Sequence, residues 1–294
     1  MNFDLSDEQK MLAEQARGLL GERSSSDRLR ELIDARAEWD ESLWREIADM
    51  GFLGVTLPEE FGGLGMTELD LGVISEELGR ANTALPFFSS IILAADAINL
   101  AGSDAQKAHW LPKLASGEAI GTFAYAEGAA GWTGDAVKTR VDGATLSGQK
   151  TPVADGGVAT VAVVLARVAD KPALALVDLA QSGVTRSRLN SFDQLRAHYA
   201  IQFDAAAAEL LESAPTERVL DQLFDRAAVQ AAFEAVGGAD ACLLMARDYA
   251  MDRQIFGRPL SSYQAIKHKL ANIAVAVVSI PNLVAMEVAV VLQQ

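Results

Sequence analysis

The chain reads as an α+β multidomain protein, with a helical N-terminal domain, a middle antiparallel β-barrel or sandwich, and a C-terminal helical bundle. Three observations predict this. Apolar residues recur at helical spacing behind helix-start signals over residues 1–118; the period turns to strand-like over 119–213; and Leu220, Phe224, Ala227, Ala231 and Ala235 open a long helical run within 214–294.

Each element has its own local warrant. Ser6-Asp7-Glu8-Gln9 has the form of a capping box, and Leu12, Ala16 and Leu19 then share a face. Asp40 starts a second helix, in which Leu43, Ile47 and Met50 recur until Gly51 stops the pattern. Thr67 begins a third with Leu71, Ile74 and Leu78 inward, Pro86 opens another, and 104–114 continues the series. From Gly121 the pattern changes. Strands are predicted over 136–141 and 145–149 across an Asp142-Gly143 turn, then over 158–166, 173–177 and 198–203. Pro215 and Thr216 mark the start of a long helix running to near Phe256, where Gly257 and Pro259 end it. Gly237 and Gly238 inside that helix predict the close approach of another backbone.

Composition narrows the function. With 294 residues, half of them hydrophobic, the chain can bury a sizeable core. A net charge of −15 repels phosphate backbones and anionic lipid, so nucleic acid is not an expected partner, and an anionic ligand would need a local basic pocket. Cys242 is the only cysteine, and Met1-Asn2-Phe3-Asp4 lacks the features of a secretory signal, which points to a reducing cytoplasm. Residues 271–292 approach the length and apolarity of a membrane span, but Pro281 and Glu287 favour a helix buried in a protein bundle instead. His109, His198 and His268 fall in different domains, so no metal site is expected.

Three stretches carry a more specific signal. Residues 51–65, Gly-Phe-Leu-Gly-Val-Thr-Leu-Pro-Glu-Glu-Phe-Gly-Gly-Leu-Gly, are too glycine-rich to continue a helix and form either a tight loop or a phosphate cradle. They are followed by Ile74-Ser75-Glu76-Glu77-Leu78-Gly79-Arg80. Gly148-Gln149-Lys150 lies in the strand region, and Arg253-Gln254-Ile255-Phe256-Gly257-Arg258-Pro259-Leu260-Ser261-Ser262-Tyr263-Gln264 joins two apolar helices. In this order the blocks resemble the acyl-CoA dehydrogenase family along essentially the whole chain.

The resemblance implies FAD as cofactor and an acyl-CoA as substrate. It places Arg253 against the FAD pyrophosphate of a neighbouring subunit, with Phe256 and Gln264 nearby, and a guanidinium fork suits phosphate oxygens. On the residues alone, Arg253 could instead neutralise a helix end, Phe256 could be core, and Ser261 with Gln264 could form a capping box. The flavin-ring positions depart from the family. Ala126 stands for a threonine, Trp132 for a small serine, and Pro152 and Ala154 for a tryptophan and a threonine, leaving Asp155 as a possible substitute contact. No catalytic base can be named. Where some members carry a glutamate on the long helix this chain has Ala227, and Ala228 replaces a common arginine. Asp225, Arg226 and Glu234 are best explained by an exposed helix face.

An eroded flavin cradle beside a retained Arg253 resembles the partner subunit of heteromeric acyl-CoA dehydrogenases. The expectation is a subunit that completes an FAD site with a homologous chain and passes electrons to an electron-transfer acceptor. The alternatives are a non-catalytic interaction subunit, or a homo-oligomeric enzyme whose C-terminal domain is truncated relative to the family.

Overall fold

The computed structural model describes residues 5–128 and 136–291, with backbone alone at the end of the last helix. In chain order it runs helices, sheet, helices. The helices are α1 (Asp7–Arg23), α2 (Ser26–Asp34), α3 (Glu41–Asp49), α4 (Glu68–Arg80), α5 (Asp96–Ala101) and α6 (Asp104–Ala115), followed after the sheet by α7 (Thr216–Asp252) and α8 (Gln264–Val291). By contact the described residues divide into two compact units, one drawn from Met1–Ser25, Thr67–Thr83 and Ala228–Gln294, the other from Ser26–Met66 and Ala84–Ala227.

In the first unit, helix starts are set by side chains as the sequence implies. Ser6 and Gln9 form a reciprocal capping box on α1, and Thr67 with Asp70 does the same for α4. The motif at 74–80 proves to be an ionic clamp. Glu77, almost wholly buried, accepts from Arg17 at 2.6 and 3.0 Å and from Arg80 at 3.1 Å, while Arg80 also reaches Glu76 and Asp240. Helices α4 and α7 meet backbone to backbone: a Cβ on Gly79 would lie 1.9 Å from the Glu234 carbonyl oxygen, and one on Gly237 would lie 1.8 Å from that of Glu76. Only glycine permits that approach. Phe233 lies against Gly72, and Gln230 donates to the Glu68 carbonyl while accepting from Ser75.

The second unit is built on an eight-stranded sheet: β1 (Gly121–Ala124), β2 (Arg140–Asp142), β3 (Thr145–Ala154), β4 (Val161–Val168), β5 (Lys171–Asp178), β6 (Val184–Arg188), β7 (His198–Ala207) and β8 (Glu209–Leu211). Its order is β6-β7-β3-β2-β4-β5-β8, with β1 added on β4. Pairing is antiparallel except that β1 and β2 join β4 in parallel, so the sheet is mixed. The expected strand over 136–141 shrinks to β2, because residues 138 and 139 give their amides to a side chain described below. β4 is buried along most of its length, and Val161, Val163 and Leu165 share a core with Leu174, Leu176, Ile98, Leu111, Leu114 and Leu223. Ahead of α5, residues Phe88–Ala95 widen into a π-helix, which points Ser90 Oγ at the Gly121 amide (2.9 Å) and Ser89 at the sheet.

The glycine-rich stretch 51–65 is a structural loop. Its amides are spent internally, with Leu64 N–H on Gly54, Gly65 N–H on Leu57 and Met66 N–H on Val55, so no row of free donors faces outward. A Cβ on Gly63 would sit 2.0 Å from the Leu57 carbonyl oxygen. Helix α2 has a strongly amphipathic pattern that the sequence reading passed over.

Helix α7 is long and apolar enough to cross a membrane by length and composition alone, but its first half is buried in protein through Val219, Leu223, Val229, Phe233 and Val236. The described start of the apolar stretch 271–292 departs from the expected buried helix. Ile273 and Val275 are exposed among the described residues.

Candidate functional site

The end of α7 leads into a hairpin rather than into more helix. α7 stops at Asp252, not near Phe256, and β9 (Gln254–Ile255) pairs antiparallel with β10 (Arg258–Pro259) around a two-residue turn. Phe256 and Gly257 occupy that turn with φ of 51° and 76°, the left-handed pair that a type I′ hairpin requires. Pro259, with no N–H, sits at the end of β10, where none is needed.

Two contacts brace this hairpin. Tyr263 Oη donates to the Ile255 carbonyl at 2.9 Å, and the Arg258 guanidinium lies 4.0 Å from the centre of the Tyr263 ring. At its base the Leu260 amide donates to the Arg253 carbonyl at 2.7 Å. Residues 260–262 form one 3₁₀ turn, and α8 then begins at Gln264.

The structure therefore brings Arg253, Phe256 and Gln264 onto one short module, all three exposed. Arg253, the residue after the end of α7, has no ion-pair partner among the described residues. Phe256, 93 % exposed, is not core. The alternative of a capping box from Ser261 and Gln264 finds no such hydrogen bond among the described residues. The first α8 amides bond to the Tyr263 carbonyl, since the 3₁₀ turn places Tyr263 where a cap would stand.

In the sheet, the positions aligned with a flavin cradle are spoken for. The Ala126 carbonyl accepts from Thr151 N–H (2.8 Å), the Ala154 carbonyl accepts from Thr122 Oγ1 (2.7 Å), and neither alanine offers a side-chain donor. Asp155, the proposed substitute, has φ 53° and accepts from Ser89 Oγ at 2.6 Å; burial pushes its carboxyl up, against that hydrogen bond. Trp132 lies outside the described residues. Among the described residues, the side chains of Ala126, Pro152 and Ala154 offer a flavin ring no hydrogen-bond donor.

Sequence reasoning overlooked a buried ion pair in this domain. Lys150, with no exposed side-chain surface, places Nζ 2.7 Å from Glu127 Oε1 and 3.2 Å from the Tyr125 carbonyl. The Glu127 carboxylate also takes the amides of Lys138 (2.7 Å) and Thr139 (3.0 Å), fastening residues 127 and 138–139 together over β3. Burial alone would raise this carboxyl, but the Lys150 ammonium and the two amides outweigh it and hold it at about 2. A signal existed: Lys150 has the same strand parity as inward Leu146, a phase in which a lysine must find a carboxylate.

On α7, Ala227 is buried and Asp225 exposed. Arg226 does not lie on a merely exposed face; it is half-buried and pairs with Asp96 at 2.8 Å. Among the described residues no cluster of His, Cys, Asp and Glu could hold a metal ion.

Comparison with known proteins gives the family. Residues 6–118 match the model of the acyl-CoA dehydrogenase N-terminal domain, and 217–293 that of the acyl-CoA dehydrogenase C-terminal domain. The chain is 32 % identical over 257 residues to (2S)-methylsuccinyl-CoA dehydrogenase of Cereibacter sphaeroides, an alignment spanning 79 % of this chain and 47 %, about half, of that protein. Among solved structures it resembles a variant of the Tcur3481-Tcur3483 steroid ACAD (30 % identity, TM-score 0.85, 96 % of this chain and 77 % of that one). It also resembles the ChsE4-ChsE5 complex from Mycobacterium tuberculosis (25 % identity, TM-score 0.90, 100 % and 80 %). The chain belongs to the acyl-CoA dehydrogenase family, whose members are FAD-linked oxidoreductases.

Proposed function

We propose that this chain is a cytoplasmic subunit of an acyl-CoA dehydrogenase that introduces α,β-unsaturation into an acyl-CoA thioester and shares its FAD site with a homologous chain. Arg253 holds the FAD pyrophosphate, and Phe256 and Gln264 contact the cofactor beside it. FAD, when bound, supplies the acceptor for the hydride lost from the substrate β-carbon, and an electron-transfer protein then reoxidises it. The flavin ring and the base belong to the homologous chain.

One observation carries this reading: Arg253 is exposed on a braced hairpin and has no ion-pair partner among the described residues, while the described side chains at the flavin-ring positions Ala126, Pro152 and Ala154 offer no donor. A guanidinium free of its own carboxylates is available to a phosphate, at little reorganisation cost. The likeness to structures named for two gene products, Tcur3481-Tcur3483 and ChsE4-ChsE5, supports a two-chain assembly. So do Met245, Tyr249, Ile273 and Val275, which expose apolar surface on α7 and α8 that a second chain would cover. The lone Cys242 suits a reducing compartment.

The test is to purify the chain alone and co-expressed with a homologous chain carrying the flavin-ring motifs, then record flavin absorbance and its bleaching by acyl-CoA. Flavin bound and reduced only in the pair supports the proposal. Assembly without flavin would make this a non-catalytic interaction subunit.

A further inference from the structure

We infer that Tyr263 and Arg258 are positioning residues for the shared cofactor site, acting through the hairpin they brace. This rests on the reading of Arg253 given above. A two-strand hairpin with only two residues in each strand has almost no cohesion of its own, and isolated hairpins are marginal in water even when longer. Here the turn also carries a burden. Phe256, a bulky aromatic, is held at φ 51°, a region such residues rarely occupy, with its ring almost fully in solvent. Among the described residues no burial of Phe256 offsets that strain.

What keeps the turn in place comes from outside it. Tyr263 lies beyond the hairpin, anchored where α8 begins, its own carbonyl accepting from the amides of Ile266 and Lys267. From there its hydroxyl holds the Ile255 carbonyl on one strand, and its ring carries the Arg258 guanidinium of the other. One side chain thus ties both strands to the helix. Arg258 is spent in this stack, which separates the duties of two nearby arginines: Arg258 fixes the hairpin and Arg253 is left free. The Leu260 amide then sets the Arg253 backbone. A guanidinium offered to a ligand on another chain gains affinity from being held in its bound geometry beforehand, and the brace supplies that.

The experiment uses the assembled pair and measures FAD affinity by flavin fluorescence, the visible flavin circular dichroism, and amide exchange at Leu260. Variants are Arg253→Ala, Tyr263→Phe, Tyr263→Leu and Arg258→Ala. Tyr263→Leu, losing both contacts, should weaken FAD binding about tenfold, with faster exchange at Leu260 and an altered dichroism band. Tyr263→Phe keeps the ring under Arg258 and should recover most of that affinity; should Tyr263→Leu fail to fold, Tyr263→Phe and Arg258→Ala carry the test with losses of about threefold. Unchanged FAD affinity in all brace variants, while Arg253→Ala loses FAD, would overturn the inference alone. FAD retained by Arg253→Ala would overturn the shared-site reading beneath it.

Discussion

Lys150 and Glu127 form a buried ion pair, Nζ to Oε1 2.7 Å, that ties β3 to the segment after β1. The pair is closed on itself, and two backbone amides complete the carboxylate's shell.

Removing one partner strands the other in a dry site. Lys150→Met should destabilise the second unit by about 3–5 kcal/mol, whereas the double variant Glu127→Gln with Lys150→Met should recover part of the loss. Urea unfolding of the three proteins checks this; equal losses in single and double variants would contradict it.

Acid should reach this pair and one helix cap together. Burial would raise Asp40, the N-cap of α3, but Arg28, Ser42 and the Leu43 amide hold it at about 2, like Glu127. Both carboxyls lie below their ordinary values, so their stabilisation is complete above pH of about 4.5 and is lost as pH falls toward 2. Asp40→Asn and Glu127→Gln should therefore each flatten the fall in stability between pH 4.5 and 2, measured by denaturant midpoint at stepped pH.

The α4 and α7 crossing depends on two hydrogens. Gly79→Ala and Gly237→Ala force a methyl onto a carbonyl oxygen and should each cost about 1–3 kcal/mol. Gly238→Ala, whose Cβ would meet only the Gly79 oxygen at 3.5 Å, should be tolerated. Melting temperatures of the three variants separate these outcomes.

A charge on the exposed apolar surface should block assembly while leaving the chain folded. Met245→Glu and Val275→Glu are both solvent-facing here, so their effect on the isolated chain's unfolding should stay within about 0.5 kcal/mol. Sedimentation of the mixture with the homologous chain should show the complex lost.

Much of this was legible beforehand, for identifiable reasons. Ser6, Asp40 and Thr67 marked helix starts because a short polar side chain before an apolar run has one common use, and Gly237 announced a backbone contact. Arg253, Phe256 and Gln264, singled out by the family resemblance, fall on one module, yet the start of the hairpin between them was read as the end of the helix, since Gln254 and Ile255 carry no turn signal and Phe256 is a poor left-handed residue by type. Lys150 was passed over because its partner lies 23 residues away, a pairing that only the fold creates. The capping-box alternative at Ser261 and Gln264 was a local offer, and a 3₁₀ turn occupies that stretch instead.

The most direct test of the whole account is the FAD content of three preparations: the chain alone, the chain with its homologous partner, and that pair carrying Arg253→Ala. Flavin should be absent from the first, present in the second and largely lost from the third. Stoichiometric FAD in the chain alone, or an Arg253→Ala pair that stays fully loaded, would contradict it.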